Sequence, residues 1–141
     1  MVKIDTVYEG HLRCKTLHGP SGSTLITDAP KDNHGKGESF SPTDLVASAL
    51  GSCMMTIMGI VADKKGIDLI GAKAETKKEM SKELPRRIIA LRTRLTLPLP
   101  PDHPDRKILE EAALHCPVHK SLDPSIDAAI EFIWSGDNRH S

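Results

Sequence analysis

The sequence predicts an α+β fold with a largely antiparallel sheet, in one domain over residues 1–141. Three features predict it. Segments with apolar residues at every second position occur near both ends of the chain and in its second half. Turn signals join neighbouring segments of this kind, so hairpins outnumber crossovers. One long uncharged stretch lies between them, with helix-boundary residues at both ends. A chain of this length buries a sizeable core without disulfide staples.

In residues 2–18, Ile4, Thr6, Tyr8, Leu12 and Cys14 share one face, and Lys3, Asp5, Glu9, His11, Arg13 and Lys15 the other. This is the pattern of a half-buried strand, with a break near Gly10. GPSG (19–22) is a turn, STLITDA (23–29) a second strand, and the polar, glycine-bearing PKDNHGKGESF (30–40) a loop. Ser41 then suits an N-cap, Pro42 the first helical position, and Asp44 the third position of a capping box. The helix is predicted to run to about Lys65 and to stop at Gly66. Residues 68–80 and 86–97 form a strand pair around SKELPR, and in the second Ile89, Leu91, Thr93, Leu95 and Leu97 alternate. PLPPDHP (98–104) breaks the chain. A helix starting near Pro104 carries Ile108, Leu109, Ala112 and Ala113 on one face. CPVHKSLDP (116–124) is irregular or a short helical turn, SIDAAIEFIW (125–134) a last strand, and SGDNRHS a frayed tail.

Lys and Arg number 19 against 19 Asp and Glu, and aromatic residues are 3%, which gives no electrostatic or stacking case for a nucleic-acid partner. The basic bias of residues 64–94, ten Lys or Arg against four acids, fits a solvated face. The first ten residues lack the pattern of a signal peptide. Between Asp44 and Asp63 lie 18 uncharged residues, the lower limit of a membrane span. Ser48, Gly51, Ser52, Thr56 and Gly59 dilute that stretch, so a helix buried on most sides is expected instead, and no membrane partner. Three cysteines, an odd number in a chain of ordinary core composition, point to a reducing cytoplasm rather than a secreted disulfide framework.

Cys14, on the apolar face of the first strand, behaves as a small hydrophobe. Cys53 sits mid-helix, about three turns from the N-terminal end, where the helix dipole does little for a thiolate; activation there needs a cation from another element. Cys116 precedes a proline at the start of a turn, where it can cap the next few N–H groups. His115, Cys116 and His119 can also supply metal ligands, with Cys53 as a fourth, although a structural zinc site usually shows paired ligands at both ends. No dinucleotide fingerprint, phosphate loop or nucleophile elbow is present.

SPTDLVASALGSCMM (41–55) and HCPVHKSL (115–122), together with TLITDAPKDNHGKGESFSPTDL (24–45), resemble the OsmC-like family, the osmotically inducible protein C and organic hydroperoxide resistance proteins. The resemblance covers most of the chain. It implies an intertwined homodimer with the two long helices at its centre and active sites at the subunit interface. It also implies a thiol peroxidase acting on a hydroperoxide and served by an external dithiol reductant, with no cofactor and no metal. In that reading Cys53 attacks the peroxide and Cys116 resolves it. The organic hydroperoxide branch pairs a glutamate early in the helix with an arginine; here the helix position is Thr43, with Asp44 beside it. Arg13 and Lys120 are the candidate activating cations, and Asp44 the group that orients one. Met54, Ile57 and His119 are expected to line the substrate site, among the apolar walls that Met55 and Met58 also supply. Two other readings stand beside this: a binding module for a small apolar ligand at the interface, and the Cys/His metal site.

Overall fold

The structure, a computed structural model, describes residues 1–136. Its elements are β1 (Ile4–Gly10), β2 (Arg13–His18), β3 (Thr24–Asp28), α1 (Pro42–Lys64), β4 (Lys73–Met80), β5 (Ile88–Leu97), α2 (Arg106–Leu114), α3 (Pro117–Lys120) and β6 (Ile130–Trp134). The chain forms two compact units, Met1–Val46 and Ala47–Ser141.

The first unit holds an antiparallel sheet in the order β1-β2-β3. Residues 2–18 are a hairpin rather than one broken strand. The chain reverses at Gly10, His11 and Leu12, whose φ angles of 89°, 56° and 63° are all left-handed. Glycine adopts that conformation freely, whereas His11 and Leu12 hold it at a cost of order ~1 kcal/mol each. The turn is fixed by Leu12 N–H donating to Tyr8 Oη at 3.3 Å and by Ala29 N–H donating to the Leu12 carbonyl at 3.1 Å. The expected half-burial of the first strand is not met within the chain: Ile4, Val7 and Tyr8 are more than 60% exposed. Alternation records a demand for cover without saying what supplies it.

Helix α1 begins in the first unit with the expected capping box. Ser41 N–H donates to Asp44 Oδ2 at 2.9 Å, and Asp44 N–H donates to Ser41 Oγ at 3.1 Å. It ends as predicted at Gly66, which takes φ 67°, and Ile67 N–H closes back onto the Ala62 carbonyl at 2.9 Å.

The second unit holds most of α1 and a three-stranded sheet in the order β4-β5-β6. The β4–β5 pair is antiparallel, but β6 pairs parallel to β5, from Thr93↔Ile130 to Leu97↔Trp134. Among the described residues the fold is therefore α+β with two small sheets, antiparallel at three of the four strand pairs. Leu91, Thr93, Leu95 and Leu97 of β5 are buried, while Arg92 and Arg94 point to solvent. The basic bias of the segment dissolves into surface ion pairs: Arg92 with Glu79 and Asp127, Arg94 with Glu131, Lys77 with Glu75. Thr93 satisfies its buried hydroxyl against Thr76 Oγ1 at 3.1 Å across the β4–β5 register.

Helix α1 packs on β4 at Gly51, where an added Cβ would stand 3.2 Å from the Ala74 methyl and 3.3 Å from Thr76 Oγ1. Its buried residues, Ala47, Leu50, Gly51, Met54, Met58 and Ala62, form one stripe at helical spacing. The helix is long and apolar enough to cross a membrane by length and composition alone, and 33% of that apolar window is buried inside the chain. It is thus covered along one stripe rather than on most sides, and Ser48, Ala49, Ser52, Thr56 and Ile60 are exposed. Trp134 of β6 ties the sheet to α2: its Nε1–H donates to Glu110 Oε1 at 3.2 Å, and Arg106 lies 5.6 Å over its ring. Ser135 and Gly136 are not frayed, since their N–H groups donate to the carbonyls of Leu97 and Leu99. The rest of the expected frayed tail lies outside the described residues.

Candidate thiol site and a buried ion cluster

Two elements of the second unit bring Cys53 and Cys116 together. The α1 stripe sets the helix against β4, and Cys53 lies half-buried beside that stripe, between Gly51 and Met54. Cys116 follows α2, whose Leu109 and Ala113 are buried, and the chain turns there because Pro117 begins a new helix. Cys116 is the N-cap of α3, as its position before proline predicts. Its Sγ accepts the His119 N–H at 3.2 Å, and the side chain has no exposure.

Both thiols are free. Burial pushes the Cys116 thiol up, the His119 N–H acts the other way, and a hydrogen bond with Cys53 and the charge of Cys53 raise it further. The two thiols are therefore near enough for Cys53 to bear on the titration of Cys116. Chemically, such a pair loses two electrons to become a bridge, or passes from a sulfenic acid to that bridge with loss of water.

Met54 is wholly buried in the core stripe, so of the expected apolar wall it is Ile57, with Met55, that keeps some exposure. His119 lines a cavity of about 260 Å³ with Leu122, Asp123, Pro124, Ile126 and Ala128. Lys120 is exposed on the last turn of α3. Among the described residues no three His, Cys, Asp or Glu side chains are grouped to hold a metal. His115 instead places its Nδ1 2.7 Å from the Glu111 carbonyl.

Arg13 belongs to the first unit and is held there by two carboxylates. Its Nη2 donates to Asp28 Oδ2 at 3.3 Å and to Glu38 Oε2 at 2.9 Å. Asp28 is buried at the end of β3 and also accepts the Glu38 N–H at 2.9 Å. That N–H holds the Asp28 carboxyl below its usual range, and Arg13 adds to the effect against the opposing pull of burial. Glu38 and Asp28 in turn push Arg13 further up. Asp28 Oδ1 is buried without a hydrogen-bond partner. Asp44 spends Oδ2 on the helix cap. Sequence reasoning missed Asp28 and Glu38 altogether. The one available signal was a carboxylate closing an otherwise uncharged strand, while Glu38 sits in a loop with no period to read. Cys14 lies on β2 opposite Tyr8 and Thr27 and is the one cysteine of its unit.

The sequence profile described as OsmC-like protein matches residues 35–131. Among solved structures, a protein from Psychrobacter arcticus 273-4 assigned to the osmotic stress and detoxification response is 43% identical, with a TM-score of 0.87 over 94% of this chain and 96% of its own. An organic hydroperoxide resistance protein OsmC from Legionella pneumophila shares the fold at 12% identity, with a TM-score of 0.75 over 94% of this chain and 96% of its own. The organic hydroperoxide resistance protein OhrB of Bacillus subtilis does so at 17% identity, with a TM-score of 0.66 over 94% and 97%. Among curated proteins, none matches the chain. A profile that spans both cysteine segments, with 43% identity along nearly the whole Psychrobacter chain, places this protein in the OsmC-like family.

Proposed function

We propose that the protein is a thiol-dependent peroxidase for organic hydroperoxides, working as a homodimer in a reducing cytoplasm. The observation that carries the reading is that Cys53, half-buried on α1, and Cys116, wholly buried at the start of α3, belong to one unit, with Cys53 bearing on the titration of Cys116. The family's organic hydroperoxide resistance proteins lend the substrate class. Cys53, as thiolate, attacks one peroxide oxygen; the S–O bond forms, the O–O bond breaks, and the departing alkoxide takes a proton to leave as the alcohol. The Cys116 sulfur then attacks the Cys53 sulfenic acid; the S–S bond forms, the S–O bond breaks, and hydroxide leaves with the Cys116 proton as water. An external dithiol restores both thiols.

The cation that activates Cys53 is Arg13 or Lys120. Arg13 is the stronger candidate because two carboxylates, Asp28 and Glu38, fix its side chain. Asp44, at the helix start beside Thr43, is the further carboxylate that orients the cation in this reading. Ile57 and His119 contact the substrate, and Met54 shapes the wall from behind. Homodimer formation is supported by the uncovered apolar residues of β1 and by the uncharged exposed side of α1.

Thiol counting by mass spectrometry, before and after stoichiometric cumene hydroperoxide, tests the reading. A Cys53–Cys116 disulfide formed within seconds is the expected result. Three unreacted thiols sink it in favour of a ligand-binding module.

A further inference from the structure

A thiolate that takes the outer oxygen of a hydroperoxide expels the rest as an alkoxide, a strong base that departs readily only if a proton is at hand. Among the described residues the second unit holds three histidines. The ring of His103 accepts the Asp105 N–H at 3.1 Å, and that of His115 lies 2.7 Å from the Glu111 carbonyl. The half-buried ring of His119 has no hydrogen-bond partner among the described residues. Its own N–H lies 3.2 Å from Cys116 Sγ, which anchors the residue beside that thiol. It lines a cavity of about 260 Å³ whose other walls, Leu122, Pro124, Ile126 and Ala128 among them, are mostly apolar. An uncommitted imidazole in apolar surroundings next to a buried thiol is poorly explained by packing alone.

We propose that His119 is the general acid of the peroxide step, its imidazolium giving the departing alkoxide the proton that makes it an alcohol. This rests on the peroxidase reading. Cys53 loses its proton to solvent as it ionises. Its sulfur then bonds to the outer peroxide oxygen, which keeps its own hydrogen, and the O–O bond breaks with its electron pair on the inner oxygen. The His119 proton joins that oxygen, and the neutral ring takes a proton back from solvent before the next turnover. Imidazole suits the task because it both holds and yields a proton near neutral pH.

The neighbouring groups are worse donors. The Ser125 hydroxyl and N–H both donate to Asp123 Oδ1, at 2.6 and 2.8 Å, and hold that carboxyl below its usual range. Asp123 therefore brings a charge to the cavity and no proton. Burial pushes the Cys116 thiol up, and its proton is needed later, when hydroxide leaves the sulfenic acid. Lys120 is exposed on the last turn of α3, and an ammonium is a weak acid at neutral pH. An arginine keeps its proton throughout. The assignment also shapes the substrate range, because a proton donor matters most for peroxides whose leaving group is a plain alkoxide.

The test oxidises the reduced full chain in a single turnover with two oxidants, and follows the loss of free thiol after an acid quench. Cumene hydroperoxide expels an alkoxide, whereas peracetic acid expels acetate, which leaves without a proton at neutral pH. His119→Gln keeps the backbone N–H at Cys116 but has no proton to give. It is expected to be at least about 100-fold slower than the parent with cumene hydroperoxide, and to lose far less with peracetic acid. In His119→Ala, added imidazole is expected to restore part of the cumene hydroperoxide rate and not to change the peracetic acid rate. Equal losses with the two oxidants, or no loss with cumene hydroperoxide, overturn the inference and leave the peroxidase reading standing. A parent chain whose thiols survive cumene hydroperoxide sinks the peroxidase reading, and the inference with it.

Discussion

Cys116 is kept as a thiol mainly by burial, and Asp28 is kept as a carboxylate mainly by a backbone N–H. Each makes a prediction at the level of one side chain. Cys53→Ser abolishes peroxide turnover. Cys116→Ser allows a single turnover, after which Cys53 gains sulfinic acid mass. Cys14→Ser leaves turnover near that of the parent; equal damage from it would undo the assignment of roles. For Asp28 the folded pKa is depressed, so its contribution to stability is present above the ordinary carboxylate pKa of about 4 and is lost as pH falls through the lower folded value. The melting temperature of the parent is therefore expected to fall more steeply below about pH 4 than that of Asp28→Asn. Parallel pH profiles would remove the argument. Asp28→Asn also costs more than Glu38→Gln, because the Asp28 side chain is wholly buried and that of Glu38 is 59% exposed. The cysteines were legible in sequence because proline and helix context mark them. The Arg13 cluster was not, because its parts lie at positions 13, 28 and 38 and meet only through strand pairing and a loop.

Helix α1 was read closely at both ends, since Ser41, Asp44 and Gly66 act through local hydrogen bonds that sequence specifies. Its burial was not. Absence of charge predicted cover on most sides, yet the chain covers one stripe. Likewise, alternation identified β6 without showing that it lies parallel to β5, because strand direction is set by the path of α2 and α3 rather than by period. Gly51 is where α1 lies close against Ala74 and Thr76 of β4. Gly51→Leu forces the two apart and is expected to cost roughly 1–3 kcal/mol by overpacking, read by chemical denaturation. Leu95→Ala, in the fully buried row of β5, removes contacts on a rigid strand and is expected to cost about 2–5 kcal/mol. A loss below half a kcal/mol in either would show that the layer is loosely packed.

At the scale of the molecule, the exposed apolar residues of β1 and the exposed side of α1 ask for a partner that the chain does not supply itself. Thr56→Arg, on that exposed side, is expected to convert a dimer into a monomer by sedimentation velocity while retaining helical circular dichroism. A parent chain that sediments as a monomer at micromolar concentration would remove the proposal. The parallel place of β6 has a different consequence, for the order in which the protein is made. Strand β5 pairs on one edge with β4, which precedes it at once, and on the other with β6, which follows only after α2 and α3. During synthesis the β4–β5 hairpin can therefore close early, while the far edge of β5 waits for residues 130–134 to emerge. A nascent chain stopped before Trp134 carries an open, leucine-rich strand edge, the kind that chaperones bind. Truncation from this end should then cause aggregation rather than a modest loss of stability.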